Sequence, residues 1–381
     1  MSAVAAAARR NGREQVGVAV IGCGAWGRNY VRVLRELPQA RVDVVCDASA
    51  ERLEVIRQAF PDVRLVSSVD EAVATPGVEA AVVCTPASSH RAVAQHCLRV
   101  GLHTLVEKPL TTCTEDADAL IAAAAEAGLV LMTGHTFLYN AGIRKAREYV
   151  QSGALGRVYY LYSRRTNLGP IRHDVDAVWD LAPHDVSIFN FVLGRRPEWV
   201  SAIGACVVSE NLPDVGFVSL GYPGGVVAHA HVSWAEPNKV RELVIVGSDK
   251  RVVVNDLDAL ERVRVFDKGV ARAPAEGSTY GEFRLLLRNG DITSPMVEMT
   301  EPLKEQCIHF LASVRSRATP LTDGRMGRDV VSVMEAIGRS IIAGGEPVEV
   351  AGEPASAHPA LRLERRRFIR RRAPARDAVR M

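Results

Sequence analysis

The stretch VGVAVIGCGAWG, residues 16–27, limits the fold more than any other part of the chain. Val16 to Ile21 are apolar without a break, which suits a strand buried on both faces, and such strands belong to parallel sheets. Tyr30, Val31, Leu34 and Leu37 then follow at helical spacing. Between them, Gly22, Gly24 and Gly27 make G-x-G-x-x-G at a strand-to-helix turn, the setting in which that pattern has mechanical meaning. The first glycine permits a tight turn, the second lets a pyrophosphate approach the backbone, and the third lets helix and strand pack closely. The free amides and positive dipole of the helix start suit an anion. A Rossmann-type dinucleotide site is predicted here, with Ala25 and Trp26 in the same turn.

The alternation continues. RVDVVCD (41–47), EAAVVCTP (79–86), HTLVEKP (103–109) and LVLMTGH (129–135) read as strands. Residues 50–60, 90–101 and 114–128 read as helices, the last capped by Thr114 and ended by Gly128. Strand and helix alternate five times, as in a doubly wound parallel sheet. After residue 140 the pattern changes to closely spaced strands, including GFVSLGY and GVVAHAHVSW joined by a YPGG turn. The predicted fold is α/β followed by α+β: an N-terminal Rossmann dinucleotide-binding domain over 15–138, then a mostly antiparallel open sheet with flanking helices over 139–350. The second domain is expected to bind substrate and to oligomerise. Its helix over 327–344 is expected to return toward the first domain. Residues 1–14 read as a flexible arm and 351–381 as a disordered Arg-rich tail.

Composition limits what else the chain can be. With 381 residues, 48% hydrophobic and 24% charged, two ordinary globular domains fit. The net charge of +3 conceals a basic segment, residues 362–381, with nine Arg against Glu364 and Asp377, so the remainder is mildly acidic. Such a block reads as a solvated appendage, not a specific nucleic-acid site. Seven scattered cysteines without C-x-x-C point to reduced thiols in a cytoplasmic protein. No apolar run is long enough to span a bilayer. His229 and His231 form an H-x-H pair, but with no third ligand in view a packing or interface role is expected, and no metal.

Asp47 ends the second strand, where a carboxylate accepts the adenosine ribose hydroxyls and repels a 2′-phosphate. NAD is therefore expected over NADP, with Arg52 one turn on softening the preference. Lys108 lies at a strand end, on the side where ligands bind in such sheets, though taken alone it equally fits a solvated lysine at the sheet edge; Thr85, Pro86, His90, Glu107 and Lys108 are assigned to the cofactor crevice. In WDLAPHD (179–185), Asp180 is expected as an N-cap with Pro183 in the first turn. Its carboxylate could then bond one nitrogen of His184, leaving the other as a base; on spacing alone a capping Asp beside a surface His fits better.

The glycine turn, VVCTP (82–86), E-K-P (107–109) and D-x-x-x-H (180–184), in this order, resemble the Gfo/Idh/MocA family of sugar and cyclitol dehydrogenases, over about Val16 to Val350. The resemblance implies that Lys108, Asp180 and His184 form the catalytic group and that the Lys108–Pro109 bond is cis. RRTNLGPIRHDVDAVWDLAPHD (164–185) is similar to a branch that oxidises nucleotide-activated amino sugars at a ring hydroxyl. On this basis Tyr139, Asn140, Arg165, Asn167, Arg172 and His184 are the expected substrate contacts, the arginines and Asn167 on a loop before the catalytic helix. Where many relatives have Asn-Pro, this chain has Asn140-Ala141. Family members associate through the outer face of the second sheet, which implies a homodimer or homotetramer. Oxidation of a nucleotide-linked sugar, its reverse, action on a free cyclitol or sugar, and a non-catalytic cofactor-binding regulator all stay open on the residues alone.

Overall fold

The computed structural model describes residues 15–169, 171, 175–274 and 283–351. The expected N-terminal arm, Arg172 and all but the first residue of the Arg-rich tail lie outside them. Six strands form the first sheet: β1 (Val16–Ile21), β2 (Ala40–Cys46), β3 (Arg64–Val66), β4 (Ala80–Val83), β5 (His103–Glu107) and β6 (Leu131–Gly134). All pairs are parallel, in the order β3-β2-β1-β4-β5-β6. The order reverses between β1 and β4, which opens a crevice beyond their carboxyl ends. Helices α1 (Ala25–Glu36), α2 (Ala50–Ala59), α3 (Val69–Val73), α4 (Ala87–Arg99) and α5 (Thr114–Glu126) make the crossovers. The three-residue β3 and the single-turn α3 are too short to carry a readable period. The cap of α5 is Cys113, not Thr114, whose hydroxyl instead donates to Glu335 at 2.9 Å.

The second sheet has nine strands in the order β16-β13-β12-β11-β7-β10-β9-β8-β17. They are β7 (Val158–Leu168), β8 (Trp199–Ala205), β9 (Val215–Tyr222), β10 (Val226–Ser233), β11 (Ala235–Gly247), β12 (Arg251–Asn255), β13 (Val263–Phe266), β16 (Ile292–Thr293) and β17 (Val348–Glu349), with β14 (Gly269–Pro274) and β15 (Phe283–Arg288) as a separate hairpin. Neighbours are antiparallel except β7 and β10. The YPGG turn joins β9 to β10 with Gly224 and Gly225 both at positive φ, the region glycine enters freely. Helices α6 (Ala141–Gln151), α7 (Ala177–Leu193), α8 (Pro302–Ser316) and α9 (Gly324–Ile342) follow. Helix α7 and one side of α9 complete the core of the second sheet, while Val331 of α9 joins a core of the first. Helix α8 packs Leu303, Cys307, Phe310 and Leu311 into the other side of the first sheet. The two lobes therefore share apolar helices. No helix of the described residues is long and apolar enough to cross a membrane.

One buried ion pair clamps α7 onto its sheet. Arg165 is on strand β7, not a loop. Its Nε donates to Asp185 Oδ2 at 2.9 Å and its Nη2 to Oδ1 at 3.1 Å. The residues are 7% and 2% exposed, so each charge relies on the other. Removing one partner of a buried pair leaves an uncompensated charge and costs about 3–5 kcal/mol, whereas replacing both by apolar residues can be neutral. Asp185→Ala is expected to lower the urea midpoint by that amount of stability, and Arg165→Met with Asp185→Leu to recover most of it. Equal losses in the single and double variants would mean that the pair does not act as a unit.

Candidate active site

The glycine turn is shaped for close approach. Gly22 has φ +91°, and a Cβ on it would lie 2.7 Å from the backbone of Cys84. A Cβ on Gly27 would lie 1.9 Å from the carbonyl oxygen of Gly22, so no side chain fits where α1 crosses β1. Around Gly24 there is open space within 4 Å, and as the N-cap of α1 it has no side-chain cap. Ala25 and Trp26 are the first residues of α1, at the positive end of the helix, and Trp26 is 46% exposed. This cradle fits a dinucleotide pyrophosphate.

Asp47 stands beside it. Its Oδ2 accepts from the Cys23 amide at 2.8 Å and its Oδ1 from the Ser49 amide at 2.9 Å; Arg52 Nη1 is 3.7 Å away. Burial pushes its carboxyl up, but the Ser49 and Cys23 amides outweigh that and hold it below the usual carboxylate range. Thr85 is half-buried and Pro86 exposed at the end of β4. Two residues assigned to the crevice turn inward instead. The His90 ring nitrogens lie 2.7 Å and 2.8 Å from the carbonyl oxygens of Pro109 and Thr85, tying the ends of β4 and β5 together. Glu107 accepts from Tyr30 Oη at 2.7 Å and from the Lys108 amide at 3.0 Å. Buried with these bonds, Glu107 braces the backbone of the lysine that follows it.

The Lys108–Pro109 bond is cis, as the resemblance implied. Lys108 Nζ crosses to the second lobe and donates to the backbone carbonyl of Asp180 at 2.8 Å and to its carboxylate at 3.1 Å. Helix α7 starts earlier than expected: Asp176 is the N-cap, accepting from the Trp179 amide at 2.7 Å, and Asp180 is the fourth helical residue. Pro183 therefore sits inside the helix, not in its first turn. Among the described residues Asp180 makes no hydrogen bond to His184. A charged ammonium is the stronger donor and holds the carboxylate. His184 lies half-buried one turn on, edge-on to Phe137 with ring centroids 4.8 Å apart. Its Nδ1 is buried without a partner. Burial, then the charges of Lys108, Arg165 and Arg241, hold its pKa well below the usual histidine value.

The expected substrate contacts divide. Tyr139 is buried, its hydroxyl 3.0 Å from His309 Nδ1 and 3.3 Å from Thr322. Asn140 caps α6 through the Gly142 and Ile143 amides and donates to Asp256 at 2.7 Å. Ala141 takes the first helical position after it, where proline is otherwise favoured. Arg165 is spent on Asp185. The polar side-chain atoms of Tyr139 and Asn140 have partners inside the protein, as do Nε and Nη2 of Arg165. Asn167 is half-buried on β7, and Arg172 lies outside the described residues. Three residues not singled out from the sequence stand near His184: His135, Phe137 and Arg241. His135 was detectable, since it directly follows β6 as Lys108 follows β5. Arg241 comes from β11, and only the sheet order brings it here. Among the described residues no three His, Cys, Asp or Glu side chains gather as a metal site.

Residues 16–135 match the model of the oxidoreductase family with NAD-binding Rossmann fold, and residues 143–253 match the GFO/IDH/MocA C-terminal domain. UDP-N-acetylglucosamine 3-dehydrogenase of Acidithiobacillus ferrooxidans is 28% identical over 321 residues, covering 82% of this chain and 93% of that one. D-apiose dehydrogenase of Paraburkholderia graminis is 26% identical, covering 84% and 85%. A solved structure of UDP-N-acetylglucosamine 3-dehydrogenase GnnA from A. ferrooxidans superposes with TM-score 0.73, at 26% identity over 86% and 98% of the chains. GenD2 from gentamicin A biosynthesis, solved with NAD, gives 0.75 at 25% identity over 89% and 97%. The two matched domains span most of the chain and carry the glycine turn, the E-K-P strand end and the D-x-x-x-H helix in their order, and on that ground the protein belongs to the Gfo/Idh/MocA family of oxidoreductases.

Proposed function

We propose that this protein uses NAD to oxidise a secondary ring hydroxyl of a nucleotide-activated sugar to a keto-sugar, or runs the reverse reduction. The observation that carries the reading is the contact of Lys108 Nζ with Asp180, one helical turn from His184. An amine from the dinucleotide-binding lobe and an imidazole from the second lobe thus flank one cleft. Bound NAD supplies the hydride acceptor at nicotinamide C4. His184 Nε2, the nitrogen other than the enclosed Nδ1, takes the hydroxyl proton. Lys108 Nζ donates to the same oxygen as negative charge builds on it. Asp180 holds the ammonium in place. In the reverse direction His184 is the acid. The likeness to UDP-N-acetylglucosamine 3-dehydrogenase over most of both chains supports a nucleotide sugar. That to D-apiose dehydrogenase supports a free sugar as the second reading.

Subunits are proposed to meet on the outer face of the nine-stranded sheet, where Tyr160, Val227, Phe217 and Ile203 are exposed together. His231 lies on this face, stacked on Phe217 with ring centroids 4.5 Å apart, which suits packing and not metal binding.

With UDP-N-acetylglucosamine, N-acetylglucosamine and myo-inositol each offered with NAD, absorbance of reduced cofactor is expected to rise only with the nucleotide sugar. Turnover of myo-inositol alone would reject the substrate class. Lys108→Ala and His184→Ala are each expected to lose about 10²–10⁴-fold in kcat while still binding NAD; undiminished turnover in both would remove the site.

The pH profile gives a separate check. A base must be deprotonated to act, and the folded site lowers the His184 pKa. The acidic limb of kcat/KM for oxidation is therefore expected below about 6.5, the ordinary histidine value, with a plateau above it. A limb above pH 7 would point to another base.

Asp47 is ionised at neutral pH by the same logic, its pKa being lowered. Asp47→Asn is expected to shrink the preference for NAD over NADP about tenfold, since one charge contact near the surface is worth about 1–4 kcal/mol. An unchanged preference would place cofactor selection elsewhere.

A further inference from the structure

His135 is the buried group that the mechanism above leaves unused. It is 1% exposed, and neither ring nitrogen has a hydrogen-bond partner. Its backbone is satisfied: the amide donates to Thr133 and the carbonyl accepts from Leu138. Only the imidazole lacks partners, so the unmet need is directional. By contrast, His103 accepts from the Val130 amide, and the His90 ring nitrogens lie within hydrogen-bond distance of two carbonyl oxygens. A buried polar group without partners opposes folding, and such a group persists where something else satisfies it.

Sheet register says where that something sits. Glu107 of β5 pairs with Gly134 of β6, so Lys108 and His135 are the residues that directly follow the paired ends of two neighbouring strands. His184 approaches from α7, and Lys108 and His135 both bear electrostatically on it, as Lys108 does on His135. Burial, with Lys108 next, pushes the His135 pKa down to about 3, so the ring is neutral, with one donor and one acceptor. That combination complements a hydroxyl, which also donates and accepts. Strand β6 is at the sheet edge away from β1, hence on the substrate side of the crevice and not the pyrophosphate side.

We propose that His135 is a substrate-binding residue whose imidazole hydrogen-bonds a sugar hydroxyl next to the carbon oxidised between Lys108 and His184. The inference rests on the reading of that pair as the chemical centre.

The test compares wild type, Lys108→Ala, His135→Leu and His135→Asn, using NAD and UDP-N-acetylglucosamine, or whichever sugar of the panel above the wild type turns over best. In His135→Leu, kcat/KM for the sugar is expected to fall roughly 5–50-fold, chiefly through KM. NAD affinity by fluorescence titration stays as in wild type. Tm of the free protein stays level or rises, because two unsatisfied buried atoms are gone. His135→Asn, which keeps a donor and an acceptor, restores part of the loss. A lower Tm with unchanged sugar kinetics would make His135 structural, and weaker NAD binding with unchanged sugar KM would make it a cofactor contact; either overturns the proposal. A wild type inert across the panel, or an active Lys108→Ala, would remove the parent reading and this one together. A silent Lys108→Ala with wild-type kinetics in His135→Leu would remove this one alone.

Discussion

A lysine ammonium whose side chain is only 12% exposed must be paired, and the pairing of Lys108 with Asp180 is the constraint on which the rest of the site depends. The partner belongs to the other lobe, so the pair forms only if the start of α7 is docked on the carboxyl ends of the first sheet. Several features hold that docking. Arg165 and Asp185 clamp α7 to its own sheet, α9 inserts apolar residues into the cores of both lobes, and Glu107 accepts from Tyr30 and from the lysine's own amide. Gln306 of α8 donates to the same tyrosine and accepts from Thr136, which links the brace to the segment after β6.

The same ammonium sets the acid–base character around it. A positive charge beside a partly desolvated imidazole penalises a second one, so burial and Lys108 lower the His184 pKa in the same direction. Geometry and electrostatics are linked here: the group that joins the lobes adds to burial in disfavouring charge on the neighbouring ring.

Polar groups near the cleft fall into two sets. Asn140, Tyr139, Glu107 and His90, with Nε and Nη2 of Arg165, are bonded to backbone or side chains within the protein. His184 Nδ1 and both nitrogens of His135 are enclosed and unbonded. That contrast is what the proposed roles of His184 and His135 rest on.

Much of the first lobe was readable from local pattern. An unbroken apolar run, a glycine triplet that excludes side chains, and alternating helices each act over a few residues, so they survive in linear order. The strand-end lysine and the D-x-x-x-H spacing were legible for the same reason. What each polar residue does was not. Asp176 and Asp180 are both acceptable caps, and only packing selects the first, freeing the second for a lysine 72 positions away. Arg165 looks like a loop cation until β7 is seen to bury it against Asp185. The chain by itself determined the dinucleotide fold and the types of groups at the strand ends, because those follow from short-range sterics and periodicity. Tertiary structure alone decided which of those groups are paired and which face the cleft, because pairing depends on distances that sequence separation does not encode.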